Sequence, residues 1–133
     1  VLSTEEFEKY ADRLIREYDI RSGQGSSTQV RSMSGGNQQK VVLAKWLVRV
    51  VKVLILDELT RGIDVGAKEE IYSLIVELAK AGMSLILISS DMPEVLSMSH
   101  RVAVISGGEM RGILDKDEAT QKKVMRMIVE AKK

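Results

Sequence analysis

The stretch that decides the fold is Val53-Leu54-Ile55-Leu56-Asp57-Glu58. An apolar run of this length is typical of a short strand buried on both faces, and two carboxylates follow it. In open α/β sheets, ligands bind at the carboxyl ends of the strands. A carboxylate there can hold Mg²⁺ through water, and an adjacent glutamate can orient or deprotonate an attacking water. The same pattern also suits an ordinary strand-to-turn junction, so on its own it leaves both interpretations open.

A second informative stretch is Met33-Ser34-Gly35-Gly36-Asn37-Gln38-Gln39-Lys40. Ser34 is the predicted cap of a helix that runs to about Arg49. A serine and two glycines at a helix start present several backbone N–H groups to one small volume, where the helix adds about half a positive charge. This arrangement favours contact with a phosphate. A glycine-rich cap without any ligand is the alternative interpretation.

The remaining sequence alternates predicted strands and helices. Strands are predicted at 52–56, 84–88, 101–105 and 109–114, and helices at 4–18, 66–81 and 117–131, with a short helix opening at Asp91. Residues 21–28 are rich in Gly and Ser and are predicted to form a flexible loop. The alternation predicts an α/β fold whose sheet is mostly parallel, with flanking helices and an antiparallel hairpin at its C-terminal edge.

Composition narrows the possible function classes. The 133 residues suffice for one domain with a real core. The net charge of +1 gives no electrostatic argument for binding nucleic acid or an anionic membrane. The absence of cysteine excludes disulfides and thiolate metal sites. No apolar run approaches the ~20 residues that span a bilayer, and the N-terminus lacks a signal-peptide pattern. Residue 1 is Val, which is compatible with a processed product or a piece of a longer protein.

Four segments, in this order and spacing, resemble the ATP-binding subunits of ABC transporters. They are 34–40, similar to the signature motif; 54–58, similar to the Walker B segment; 60–64, at the place of the D-loop; and 89–95, at the switch region after the next strand. The Asn-Gln-Gln-Lys ending at 37–40 and the run at 61–68 more narrowly resemble the second ATPase half of ribose/galactose-type monosaccharide importers. The resemblance covers nearly the whole chain from Thr4.

This resemblance implies a partial P-loop NTPase sheet. Residues 1–33 would be a remnant of the helical subdomain with its loop, and residues 34–133 the C-terminal part of the ATPase core. The implied function is the ATP-binding component of a sugar importer that couples ATP hydrolysis to transport. The implied location is cytoplasmic, peripheral at the inner face of the membrane, with ATP and Mg²⁺ as cofactors.

The resemblance also implies a role for each site residue. Asp57 would hold Mg²⁺ through water, and Glu58 would polarise the hydrolytic water. The phosphate-contacting turn of Ser34, Gly35, Gly36 and Asn37 would reach the γ-phosphate of ATP held by a partner ATPase domain. Asp64 would lie at the interface with that domain. The implied partners are an N-terminal ATPase half or a second ATPase domain, together with transmembrane permease subunits; a homodimer of the fragment is a further alternative, and nucleic acid is not expected.

The chain also departs from the family pattern. The phosphate-binding consensus G-x-x-x-x-G-K-[ST], the Walker A loop, occurs nowhere in the 133 residues, so we expect the chain to be inactive alone. Ser90 occupies the catalytic switch position where the family usually has a histidine, and a serine hydroxyl does not titrate near neutral pH. In the family, the strand that leads into the phosphate loop normally lies between the strands predicted at 84–88 and 101–105. We therefore expect these two strands either to pair directly or to accept a strand from a second molecule.

Two alternatives come from other classes of protein. The chain could be a non-catalytic interaction module that uses the helix start at Ser34 only to complete another protein's ATP site. It could also be the C-terminal half of a chromosome-condensation or DNA-repair ATPase. Those proteins carry a long heptad-repeat helix before the signature, whereas the helix predicted at 4–18 is short, so this alternative ranks last.

Overall fold

Helices and strands alternate along the part of the chain that the structure describes. The computed structural model describes residues 4–17, 20–21, 23–47, 49 and 51–130. Its elements are α1 (Thr4–Glu17), two 3₁₀ turns (Gly25–Ser27 and Val30–Ser32), α2 (Gly35–Leu47), β1 (Val53–Asp57), α3 (Val65–Lys80), β2 (Ser84–Ile88), α4 (Met92–Met98), β3 (Arg101–Ser106), β4 (Glu109–Asp115) and α5 (Gln121–Glu130). A parallel pair, β1 and β2, and an antiparallel hairpin, β3 and β4, confirm the predicted α/β class.

The described residues form two compact units. The first takes in the described residues of 1–55 and 59–86, and the second those of 56–58 and 87–133. In the first unit, α2 packs against α3. The side chains of Leu43, Ile71 and Leu78 are completely buried there. The apolar residues of α3 recur at helical spacing, so they fall on one side of the helix, as predicted.

Helix α1 packs differently from the other long helices. None of its described side chains is buried, and Phe7 is 63% exposed. The residues after it were predicted to be a flexible loop, and the described residues of 21–28 form turns, one of them a 3₁₀ turn. The Ser26 amide donates to Asp12 of α1 at 2.9 Å, and the Gln24 amide donates to the Thr28 hydroxyl at 2.7 Å. Short polar side chains thus give this backbone the hydrogen bonds that fix a turn.

The second unit is built around the antiparallel hairpin. Val102, Val104 and Leu114 of the hairpin form a buried cluster with Val124 of α5. Partly buried residues of α4 and α5 pack around this cluster, among them Met92, Val95, Leu96, Met127 and Ile128. Arg101 lies opposite Asp115, and the register shifts between Val104 and Ile105. Such a bulge changes the local twist of the hairpin.

Strands β1 and β2 pair in parallel, but only one face of the pair is covered. The Ser84 amide donates to the Lys52 carbonyl and the Glu58 amide to the Ile88 carbonyl, both at 2.8 Å. This register places residues 53, 55 and 57 beside 84, 86 and 88 on one face. The apolar members of that face are exposed: Val53 56%, Ile55 60%, Ile86 51% and Ile88 47%. The prediction of strands buried on both faces is therefore wrong within the described part of the chain, although Leu54 and Leu56 of β1 are buried.

Two further expectations have clear structural outcomes. Strands β2 and β3 belong to separate two-stranded sheets, so the direct pairing that the sequence left open does not occur between them. Helix α5 begins at Gln121 rather than at Asp117. The residues between form a turn in which the Glu118 and Ala119 amides donate to the Asp115 carbonyl.

None of the helices in the described ranges combines the length and the hydrophobicity needed to cross a bilayer.

Candidate functional site

The paired carboxylates lie at the end of β1. Asp57 is the last residue of the strand, and its side chain is exposed. Glu58 follows it with a φ of 51°, the one positive φ among the described non-glycine residues. A side chain in the left-handed region costs roughly 1 to 2 kcal/mol, and such outliers cluster at functional sites. The backbone thus bears strain at the residue predicted to polarise water.

The structure brings together two predicted catalytic residues that lie 32 positions apart in the sequence. The Ser90 hydroxyl donates a hydrogen bond of 3.2 Å to the Glu58 carboxylate. The backbone supports this contact, because the Glu58 amide bonds the carbonyl of Ile88, the last residue of β2. Parallel pairing places the carboxyl ends of β1 and β2 at one edge, as expected for a site in an α/β sheet.

The helix that follows Ser90 carries a buried carboxylate that the sequence did not single out. Glu94 of α4 is only 3% exposed. The Ser89 hydroxyl donates to the Glu94 carboxylate, and the Asp91 amide donates to the Ser89 hydroxyl at 3.0 Å. Asp91 caps α4 by accepting from the Glu94 amide at 3.1 Å. An aspartate before a proline-containing helix start does predict the cap, but nothing in the sequence signals the burial of Glu94.

The predicted phosphate-contacting turn lies in the first unit. Ser34 caps α2 as predicted, with its hydroxyl accepting from the Asn37 amide at 3.3 Å and from the Asn37 side-chain amide at 2.9 Å. The Asn37 side-chain oxygen, Oδ1, in turn accepts from the Arg21 backbone amide at 2.9 Å. Ser34 and Gly35 are exposed. An open pocket of about 520 Å³ beside this turn is lined by Arg21, Gly23, Gln24, Ser27, Thr28, Gln29, Ser32, Met33 and Ser34.

Gly36 is required for helix packing. It is buried, and a Cβ built on it would lie 2.7 Å from the Cβ of Ala67 in the first turn of α3. A Cβ on Gly35 would lie 3.1 Å from the Cδ1 of Ile63. The N-termini of α2 and α3 therefore approach closely within this unit. The motif predicted a ligand-binding role for the glycines and did not reveal this steric one.

Asp64 caps α3. Its carboxylate accepts from the Ala67 amide at 2.9 Å, and the residue is exposed. The close approach of Gly36 to Ala67 places the Asp64 cap near the phosphate-contacting turn. The predicted site residues thus divide between the units: Ser34, Gly35, Gly36, Asn37 and Asp64 belong to the first, and Asp57, Glu58 and Ser90 to the second.

The donor set fits a weakly chelated Mg²⁺ ion. In the described ranges, His, Asp and Glu side chains nowhere form a group of three or more that could hold a metal. Mg²⁺ does not need such a group, because it binds through one or two carboxylates, water and phosphate oxygens. The exposed Asp57 carboxylate at a strand end offers one oxygen ligand of this kind.

Comparisons with known proteins agree with the motifs. A family model described as ABC transporter matches residues 2–61. The ribose import ATP-binding protein RbsA of Lactococcus lactis is 62% identical over 98 residues, which are 74% of this chain and 20% of the relative. The ribose import ATP-binding protein RbsA 1 of Streptomyces avermitilis is 59% identical over 119 residues, which are 90% of this chain and 23% of the relative. The chain thus matches between 20% and 23% of the length of these two curated relatives.

Solved structures share the fold. A bacterial ABC transporter cassette solved as a dimer matches with a TM-score of 0.71 and 21% identity, over 87% of this chain and 50% of the cassette. The same cassette, solved in a post-hydrolysis state with ADP and phosphate, gives the same values. At this identity, the likeness concerns the fold alone.

Proposed function

Because the chain belongs to the ATP-binding domains of ABC transporters, we propose that it supplies the hydrolytic carboxylates of one ATP site, and a phosphate-contacting helix for ATP held by another ATPase domain, in a sugar importer. The observation that carries this proposal is the hydrogen bond between Ser90 and Glu58 at the carboxyl edge of β1 and β2. It joins two residues that the motifs assign to hydrolysis. The ribose import proteins that this chain resembles support a monosaccharide as the transported substrate.

In the proposed site, Glu58 accepts a hydrogen bond from the attacking water and orients it towards the γ-phosphate. Ser90 already donates to one carboxylate oxygen, Oε2, which leaves Oε1 to receive the water. The left-handed backbone at Glu58 holds the carboxylate in a direction that an extended residue would not adopt. Serine in place of histidine keeps a hydrogen-bond donor at position 90 but supplies no titrating group.

Asp57 would hold Mg²⁺ in the complete assembly. Bound there, the ion would neutralise charge on the β- and γ-phosphates of ATP. The side chain is exposed at the strand end, so it can reach an oxygen-coordinated ion through water.

The phosphate-contacting turn would act on ATP held by another ATPase domain. Ser34 is exposed at a helix start, where backbone N–H groups and the helix dipole favour an anion. Its hydroxyl proton remains available, because both of its hydrogen bonds to Asn37 use it as an acceptor. Asp64, near this turn, would lie at the interface with that domain.

We propose partners on two grounds, the absence of a Walker A consensus and the presence of exposed apolar residues. The Walker A consensus is absent from the 133 residues, so we propose that a further ATPase segment supplies the phosphate cradle. Val53, Ile55 and Ile86 of the first unit are exposed apolar residues, and exposed apolar patches mark interaction sites. Permease subunits at the cytoplasmic side of the membrane would complete the transporter. The chain alone would not hydrolyse ATP.

Mutation of Glu58 tests the hydrolytic role. This chain would replace the matching segment of a full-length ribose import relative, and ATP turnover would be measured with Glu58→Gln. Glu130→Gln is the matched control, since Glu130 is exposed near the end of α5. We expect Glu58→Gln to lower turnover by on the order of 100-fold and Glu130→Gln to leave it unchanged.

A non-catalytic role is the second candidate, and the serine at position 90 is the observation that favours it. In that case, the chain only completes an ATP site on its partner through the Ser34 turn. Turnover that is indifferent to Glu58→Gln but falls with Ser34→Ala would establish this role and overturn the hydrolytic one. Ser73→Ala, an exposed serine on α3, controls for the loss of a hydroxyl.

A further inference from the structure

We propose that Glu94 is a positioning residue that fixes the Ser90 hydroxyl against the Glu58 carboxylate. The inference rests on the proposed function and deepens it. Glu94 has no assigned role in hydrolysis, yet its carboxylate is one of the most deeply buried polar groups in the described part of the chain, at 3% exposure. A buried carboxylate is costly unless it accepts hydrogen bonds, so its environment indicates a specific structural purpose.

The hydrogen bonds of Glu94 form a closed ring around Ser90. The Ser89 hydroxyl donates to the Glu94 carboxylate and accepts from the Asp91 amide at 3.0 Å. The Asp91 carboxylate accepts from the Glu94 amide at 3.1 Å. Ser90 therefore lies between two residues that are both bonded to groups at the start of α4. Its backbone has little freedom to turn without breaking one of these bonds.

The order of donors and acceptors in the ring depends on an acceptor at position 94. A hydroxyl has one proton to donate, and the carboxylate of Glu94 takes the proton of Ser89. The lone pairs of Ser89 then remain available for the Asp91 amide. Loss of the acceptor frees the Ser89 hydroxyl to rotate and weakens the hold on Asp91.

The position of Ser90 matters because its contact with Glu58 is long. The distance from the Ser90 hydroxyl to the Glu58 carboxylate is 3.2 Å, longer than the roughly 2.5 to 3.0 Å of most hydrogen bonds between oxygens. A small displacement of residues 89–91 would break it. Glu94 thus acts on hydrolysis through Ser90 and not by contact with the reacting groups.

A double-mutant cycle in the complete assembly tests the inference. We expect Glu94→Ala to lower kcat for ATP hydrolysis about 10-fold with little change in KM, and Glu94→Gln, which keeps an acceptor oxygen, to restore most of the rate. In a Ser90→Ala background, Glu94→Ala should have less than a 2-fold further effect, because both changes remove the same contact. Equal effects of Glu94→Ala in both backgrounds would overturn the inference.

Amide hydrogen exchange gives a readout that does not depend on turnover. Glu94→Ala should raise the exchange rate of the Asp91 amide at least 10-fold and leave the Lys116 amide, which bonds the His100 carbonyl, unchanged. If Glu94→Ala does not fold, Ser89→Ala replaces it, since this change removes the linking hydroxyl. Unchanged exchange at Asp91 in the variant that folds would overturn the ring.

The two failures are distinguishable. If Glu58→Gln leaves turnover intact, the proposed hydrolytic role fails, and with it the reason for positioning Ser90. If Glu58→Gln abolishes turnover while the Glu94 and Ser89 variants hydrolyse ATP at the normal rate, only the role of Glu94 fails.

Discussion

The buried ammonium of Lys40 on α2 forms an ion pair with Glu70 on α3. The Lys40 side chain is 2% exposed and the Glu70 side chain 39%, so the pair runs from the interior of the first unit to its surface. It joins the helix that carries the phosphate-contacting turn to the helix that Asp64 caps. A buried charge that loses a partner is left poorly solvated, whereas an exposed pair contributes little.

Glu70→Ala should therefore destabilise the chain. We expect the free energy of unfolding to fall by about 2 kcal/mol, because the change takes an anionic partner from a buried ammonium. Urea unfolding provides the measurement. Glu77→Ala is the matched control, since the Glu77–Lys80 pair is exposed, and it should change stability by less than about 0.5 kcal/mol. Equal effects of the two variants would contradict this account of Lys40.

Gly36→Ala should destabilise by about 2 kcal/mol, because the added methyl would overlap the Ala67 side chain at 2.7 Å. The double variant Gly36→Ala with Ala67→Gly moves the methyl from one helix to the other and should recover most of the loss. Gly66→Ala is the control, since a Cβ there meets nothing nearer than an Asp64 oxygen at 3.7 Å. It should stabilise α3 slightly. The absence of recovery in the double variant would argue against steric contact between α2 and α3.

The structure and the sequence pattern predict different first residues for α5, and mutation of the two candidate caps distinguishes them. The Thr120 hydroxyl accepts from the Lys123 amide at 3.1 Å, which makes Thr120 the cap. Thr120→Ala should cost about 1 kcal/mol, and Asp117→Ala, at the start predicted from sequence, less than half of that. Urea unfolding of the two variants checks the order. A larger loss for Asp117→Ala would mean that the helix begins where the sequence pattern placed it.

The chain should be more stable with glycine at position 58 than with alanine there. Both substitutions remove the carboxylate, but only glycine accepts a φ of 51° without strain. We expect the free energy of unfolding of Glu58→Gly to exceed that of Glu58→Ala by about 1 kcal/mol. Neither variant should support ATP turnover in the complete assembly. An alanine variant as stable as the glycine variant would show that the backbone at position 58 is not held in the left-handed region.

The sequence predicted most of the element order because the strands are short apolar runs between turn residues. Strand β2 falls at 84–88 as predicted, and the turn at Gly107-Gly108 joins β3 to β4. Both glycines have positive φ, which the turn requires. The motif order likewise identified the family, because residue identity at fixed spacing is what the motifs encode.

The predictions from sequence fail for features that tertiary contacts determine. An apolar run such as 53–56 does not reveal whether both faces of its strand are covered, and one face is exposed. Asp117 resembles a helix cap, but residues 115–119 form a turn. Helix α5 therefore begins only after Thr120, which caps it. The buried Glu94 carboxylate accepts from Ser89 in the preceding loop, and no periodicity signals such a pair.

The central claim is that this chain carries the hydrolytic acids and the phosphate-contacting turn, whereas the phosphate cradle comes from another segment. The most direct measurement is a calorimetric titration of the chain with ATP and Mg²⁺, alone and then mixed with the segment of a ribose import relative that carries the phosphate loop. We predict no binding heat from the chain alone and micromolar binding by the mixture. Micromolar binding by the chain alone would contradict the claim.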